Sequence, residues 1–396
     1  MPSIGGPVVD MDFFNREEEL KQVVELLRND NVLLMAPRRY GKTSLMREIE
    51  RRIRLDGKTC LFLDVMYVYS PQEFMVELAD THFSVSSIPK RKRFLNALRE
   101  FFSRINEVEA SIEGHVRIKF RDVLKKEING DNWTKSGDEI LNAIVSSSDE
   151  TPVYIFIDEL SECVNNIAKS SHVDAAKFLQ WFRSKRQTAS QKLRFLVSGS
   201  VGFDRIVKEI DARALAWIND FVRVRLSGFP RAEALKFVEA CFEDKKLEYS
   251  VDVGEKILEC LGQPYVPYFI AVFVSIIYQR ASGKVTAEQV EKIYSGDLLG
   301  SYGRGYFEYY KQRLRTYPEP LMKAADRMLR EICLVDDGFP LDLAFGIFKE
   351  ASGIEDYERF MNLVSDLEND FYIKIVDKKL VFQSKVLRDW WRLYYG

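Results

Sequence analysis

Short apolar runs alternate with longer amphipathic stretches from residue 7 to 229, and the pattern then becomes helical. Continuous apolar runs suit strands of a buried parallel sheet, and apolar positions recurring every three or four residues suit helices. The first part therefore reads as an α/β fold. Its candidate strands are 31–35, 60–65, 153–157, 194–197 and 221–226, with helical patterns at 17–27, 44–54, 71–79, 174–185 and 202–210. Residues 85–150 are less regular and read as an insertion. Within them Lys90-Arg-Lys-Arg93 opens a helix-like stretch, and 112–120 alternates like a hairpin strand.

Beyond residue 230 the helical patterns are 231–241, 253–261, 266–280, 287–295 and 306–316, which predict an all-α lid domain. Pro318 and Pro320 mark a joint. Helices expected at 321–334, 341–350 and 357–370 precede two short strands, 372–376 and 380–382, separated by Asp377-Lys-Lys379. Three helices and a hairpin make a winged-helix arrangement. The expected division is 1–229 core, 230–317 lid and 318–396 winged helix. No internal repeat is evident.

Composition adds mainly exclusions. The 396 residues are 46% hydrophobic and 30% charged, with a formal net charge of −2, so no global charge favours nucleic acid or membrane. Cys60, Cys163, Cys241, Cys260 and Cys333 are scattered without metal-ligand spacing and read as buried free thiols of a reducing compartment. The longest apolar run, 265–278, is too short and interrupted to span a bilayer. The expectation is a cytoplasmic protein with no membrane partner.

The most specific chemistry lies between the first strand and the next helix. Ala36, Pro37, Arg38, Arg39, Tyr40, Gly41, Lys42 and Thr43 follow the pattern small-x-x-x-x-Gly-Lys-Thr, and Ser44 leads into the helix. Such a loop curls backbone N–H groups around the β- and γ-phosphates. Gly41 permits close approach, Lys42 supplies a point charge, Thr43 offers a hydroxyl to Mg²⁺, and the helix N-terminus favours the anion. Ala36 departs from the usual glycine but is small enough to keep the turn. This is a P-loop, and it predicts nucleoside triphosphate binding.

A carboxylate at the tip of a neighbouring strand should complete the site. Val153-Tyr-Ile-Phe-Ile-Asp-Glu159 supplies it: Asp158 as a Mg²⁺ ligand through water and Glu159 as the general base. The alternative is that Asp158 merely caps the next helix. The glutamate following the aspartate argues for hydrolysis. Arg194-Phe-Leu-Val-Ser-Gly-Ser200 is the next strand, and Ser198 or Ser200 at its end would sense the γ-phosphate, or simply end the strand in a turn.

Together with Phe14-Asn15-Arg16-Glu17-x-Glu19-Leu20, Ile157-Asp-Glu-Leu160, Phe178-Leu-x-Trp-Phe-Arg183 and Ser198-Gly-Ser200, the loop resembles the archaeal and bacterial ATPases of the STAND/AAA+ group. Gly262-Gln-Pro264 is similar to that group's lid motif, and Phe382-Gln-Ser-Lys-Val-Leu-Arg-Asp-Trp-Trp391 resembles the end of its winged helix. The resemblance covers nearly the whole chain. It implies ATP and Mg²⁺ as cofactors, residues around Val8, Val9, Phe14 and Arg16 against the adenine and ribose, and Pro264 approaching from the lid. The plainer reading leaves Phe14 in the core and Gly262-Gln-Pro264 as an ordinary loop. Arg213, Arg223 and Arg225 fall in the window of an arginine finger, but Arg223 and Arg225 alternate on a candidate strand and suit a solvent face equally.

The resemblance implies a slow ATPase acting as a switch or scaffold for a protein partner or for self-association. The alternative is a DNA-binding AAA+ plus winged-helix ATPase of the replication-initiator or transposition-loader type. A nucleotide-locked module without turnover is a third reading. Against DNA, the candidate recognition helix carries Glu355, Asp356, Glu358, Asp366 and Glu368 with only Arg359, and so repels phosphate. The wing lysines Lys374, Lys378 and Lys379 are mildly basic. The aromatic tail, Trp390-Trp391 with Tyr394 and Tyr395, suits core packing or a protein contact.

Overall fold

The apolar runs of the first half pair into one parallel sheet. In the computed structural model, which describes residues 16–37, 39–108, 114–199 and 202–396, the strands are β1 (Val32–Met35), β2 (Cys60–Asp64), β3 (Val153–Asp158), β4 (Leu193–Gly199) and β5 (Val222–Arg225). Their order is β2-β3-β4-β1-β5. β1, β3 and β4 are buried along their whole length, which is why they read as unbroken apolar runs. On β5 only Val224 is fully buried, with Arg223 and Arg225 exposed to either side of it.

By contacts the chain divides into two compact units: Arg16–Ala36 with Lys42–Leu226, and Ser227–Gly396 with the short segment Pro37–Gly41. In the first, α1 (Glu17–Leu26) precedes the sheet and α2 (Lys42–Leu55) joins β1 to β2. Four helices, α3 (Pro71–Val85), α4 (Ile88–Arg99), α5 (Gly114–Glu127) and α6 (Trp133–Ser147), fill the insertion before β3. α7 (Leu160–Ser170) and α8 (His172–Thr188) lead to β4, and α9 (Phe203–Ile210) leads towards β5.

The hairpin strand expected over 112–120 is overturned, because the chain from Gly114 is helical. Phe120, Val123 and Leu124 are buried at helical spacing, and over so short a window one edge of a helical face mimics a period of two. The inserted helices share a single core with the sheet, including Phe74, Phe83, Phe94, Phe120 and Trp133. α6 approaches α3 and α8 closely: a Cβ on Gly137 would lie 2.7 Å from both Met75 Sδ and Trp181 Cζ2. The basic run 90–93 is tied down locally. Lys90 and Arg93 pair with Asp149, and Arg91 donates to the Phe83 and Ser84 carbonyls.

The second unit opens with α10 (Arg231–Asp244), α11 (Val253–Leu261), α12 (Pro267–Arg280), α13 (Ala287–Ile293) and α14 (Arg304–Arg313). Then follow α15 (Glu319–Ile332), β6 (Phe339–Pro340), α16 (Leu341–Ser352), α17 (Tyr357–Asn369), β7 (Ile373–Val376), β8 (Lys379–Phe382) and α18 (Lys385–Tyr395). The three strands form an antiparallel sheet in the order β6-β8-β7. Trp390 and Trp391 are fully buried and pack with Phe307, Tyr372 and Tyr395, so the two tryptophans of the aromatic tail are core, while Tyr394 and Tyr395 are half-buried. Arg313 and Tyr317 both donate to buried Asp370 at 2.6 Å. All five cysteines are buried and free, and burial pushes the thiol of Cys241 up to about 12. Among the described residues no helix is long and apolar enough to cross a membrane.

Candidate nucleotide site

β1 delivers the chain to the phosphate loop, and α2 begins at Lys42. Orphan N–H groups of the helix's first turn therefore lie where the motif requires an anion. Lys42 is 5% exposed and its Nζ donates to the Ala36 carbonyl at 2.8 Å, bridging the two ends of the loop. Gly41 has φ +86° with no atom within 4 Å of where a Cβ would sit, so backbone conformation rather than space calls for glycine. Arg39 also adopts a positive φ, +73°.

Within the second unit, Tyr40 is buried and meets the Phe371 ring edge-on at 5.2 Å. Arg39 lies 4.2 Å over the Tyr268 ring and donates to the Tyr306 carbonyl at 2.5 Å. Pro37 and Ser44 are half-buried. Arg38, together with Val8, Val9, Phe14 and Ser200, lies outside the described residues. Arg16 is buried just before α1 and pairs with Glu19 at 2.7 Å.

The acidic half of the site is assembled by strand tips. Thr43 Oγ1 donates to Asp158 Oδ2 at 2.6 Å, and Ser198 Oγ donates to Asp158 Oδ1 at 2.5 Å. Asp158 is 3% exposed. Its side chain thus faces Thr43 and Ser198 and does not cap α7, whose N-cap position falls on Glu159 without a side-chain cap bond. Glu159 sits at φ 59°, ψ 38°, the left-handed region, and its N–H donates to Ser198 Oγ at 2.8 Å. Ser198, one of the two serines expected to sense the γ-phosphate, thus has Asp158 as its acceptor and the Glu159 N–H as its donor. The Thr43 hydroxyl and the Asp158 carboxylate are paired hard oxygen donors, which suit Mg²⁺.

One acidic residue escaped the sequence reading. Asp64 ends β2 in register with Asp158, and its exposed carboxylate accepts the Met66 N–H at 3.1 Å. The available signal was the same as for Asp158, a carboxylate closing an apolar run.

Other candidates lie on different elements. Pro264 follows a cis bond after Gly262, which ends α11 at φ +65°. A Cβ on Gly228 would lie 2.9 Å from Pro264 Cβ. Arg213 pairs with Asp211 and Arg223 with Asp204 at 2.7 Å.

A family model described as an ATPase domain predominantly from Archaea matches residues 13–264. Among solved structures, the Walker-type ATPase PABY2304 of Pyrococcus abyssi aligns with a TM-score of 0.67 at 17% identity, covering 98% of this chain and 99% of that one. The Aeropyrum pernix ORC2 protein, in its ADPNP–ADP complexes, aligns with a TM-score of 0.56 at 12% identity, covering 98% and 95%. At such identities the likeness is one of fold. No curated protein matches the chain. The family match spans more than half of the sequence and contains the phosphate loop, Asp158 and Glu159, so the chain belongs to the family of ATPase domains found predominantly in Archaea.

Proposed function

We propose that the chain binds Mg·ATP at the loop between β1 and α2 and hydrolyses it slowly. The ATP and ADP states would then act as a STAND-type switch or scaffold for a protein partner in the cytoplasm. The observation that carries this reading is the 2.6 Å bond between Thr43 and Asp158, which joins the two halves of a phosphate-and-metal site from distant parts of the sequence. Lys42 would hold the phosphates, Thr43 and Asp158 would hold the metal, and Glu159 would take the proton of the attacking water. Mg²⁺ held by Thr43 and Asp158 would supply positive charge against the negative charge that develops on the phosphates. We assign residues 1–229 to the ATPase core, 230–317 to a helical lid and 318–396 to a winged helix. The element order from α15 to β8 supports the last assignment.

A switch needs differential affinity of the partner for the two nucleotide states. The test is recovery of bound proteins on Glu159→Gln protein loaded with ATP, against the same protein with ADP. Partner capture independent of nucleotide would overturn the switch. The exposed wing lysines Lys374, Lys378 and Lys379 favour a second, DNA-binding reading. Acidic α17 weighs against it, and affinity for duplex DNA falling steeply with salt would establish it.

A further inference from the structure

We propose that Ser198 is a positioning residue for ATP hydrolysis, holding Asp158 and the backbone of Glu159 in place, and not a reader of the γ-phosphate. This rests on the assignment of Glu159 as general base. Strand order makes the arrangement possible. β4 lies between β1 and β3, with Ser198 in register with Leu34 on one side and Val197 with Ile157 on the other. The serine therefore stands between the strand that feeds the phosphate loop and the strand that ends in Asp158.

Its hydroxyl makes two bonds at the tip of β3. It donates to Asp158 Oδ1 at 2.5 Å and accepts the Glu159 N–H at 2.8 Å. A serine hydroxyl has a single proton. With that proton on the carboxylate, Ser198 has none to offer a phosphate oxygen, and it is fully buried besides. Glu159 meanwhile adopts φ 59°, ψ 38°. Non-glycine residues rarely hold that conformation unless their surroundings over-determine it. An extended residue here would point its side chain to the opposite face from Asp158. The left-handed turn re-aims it, and the bond to Ser198 restrains the turn.

The test compares Ser198→Ala and Ser198→Thr with Glu159→Gln and the unaltered protein, measuring kcat, KM and the affinities for Mg·ATP and Mg·ADP. Misplacing a reacting group by about 1 Å costs on the order of 100-fold. Ser198→Ala should therefore lose roughly that much in kcat, with both nucleotide affinities within about threefold of the original. Ser198→Thr keeps the hydroxyl and should recover most of kcat. A crystal structure of Ser198→Ala should show Glu159 outside the left-handed region. If the alanine variant melts below the assay temperature, Ser198→Cys replaces it with the same expected split.

Unchanged kcat in Ser198→Ala, with Glu159→Gln inactive, overturns the positioning role while leaving the base assignment intact. Normal turnover in Glu159→Gln overturns the base assignment itself. Weakened ATP affinity with ADP affinity unchanged would make Ser198 a γ-phosphate sensor and overturn the proposal.

Discussion

Thr43 and Asp158, at the start of α2 and the end of β3, meet through a 2.6 Å hydrogen bond from hydroxyl to carboxylate. Both oxygens are hard donors, so the pair should take up Mg²⁺ together with the triphosphate. Asp158→Ala removes one donor and leaves the phosphate loop in place. ATP affinity measured by calorimetry with Mg²⁺ should then fall to the value found in EDTA. A variant that kept the full Mg²⁺ enhancement would show that the metal is held elsewhere.

Lys42→Ala should weaken ATP binding at least about 100-fold, roughly 2.7 kcal/mol. It removes the charge facing the phosphates and also the bridge from Lys42 Nζ to the Ala36 carbonyl. Calorimetric titration reads the loss directly. Retained ATP affinity would remove the phosphate loop from the site.

Glu159→Gln should bind ATP normally but release phosphate about 100-fold to 10,000-fold more slowly, the usual worth of a positioned general base. The amide keeps the shape of the side chain and loses its basicity. A single-turnover assay separates this effect from slow product release. Normal phosphate release would leave Glu159 with a structural role only.

These residues were legible because their signals are local. Val32–Met35 and Val153–Asp158 are apolar strands buried along their whole length, and the Gly-Lys-Thr and Asp-Glu tips follow directly on them. Other elements lacked such punctuation. α7 follows Glu159 with no side-chain cap bond to announce it, although Leu160, Cys163, Val164 and Ile167 are buried at helical spacing. α6 likewise starts without a side-chain cap bond, whereas α18 went unread although Ser384 caps it. The partners of Ser198 were out of reach in a different way. They follow from β4 lying between β1 and β3, a lateral order that no local pattern carries.

Acid should destabilise the first unit through His82. The ring is fully buried and its Nε2 lies 2.9 Å from Ser147 Oγ. Burial, with a smaller contribution from the Lys90 charge, pushes its pKa from 6.5 down to about 3. Above 6.5 both folded and unfolded chains hold it neutral, so it contributes no pH dependence. Between 6.5 and 3 only the unfolded chain takes up the proton, and stability falls by up to about 1.4 kcal/mol per pH unit. His82→Gln removes this titration. Its urea-unfolding free energy should therefore decline less steeply than the original's from pH 6.5 towards 4. Equal slopes would mean that His82 is protonated in the folded protein.

Arg186, fully buried, and Asp220, half-buried, should behave as a pair whose members are costly to separate. Arg186 is 1% exposed, and its guanidinium carbon lies 4.6 Å from the Phe182 ring centroid and 4.1 Å from that of Phe221. It donates to both Asp220 oxygens, at 2.9 and 2.8 Å, and to the Trp217 carbonyl at 2.6 Å. α8 is thereby tied to the segment that leads into β5. Asp220→Ala would leave a guanidinium among aromatic rings without its counter-charge, at a cost of about 3–5 kcal/mol. Replacing both residues, Arg186→Met with Asp220→Ala, removes the stranded charge and should recover part of that loss, because the methionine packs against Phe182 and Phe221. Urea denaturation of the single and double variants measures the difference. If the double variant is as unstable as Asp220→Ala alone, the loss lies in the contacts of Asp220 itself and not in an uncompensated Arg186.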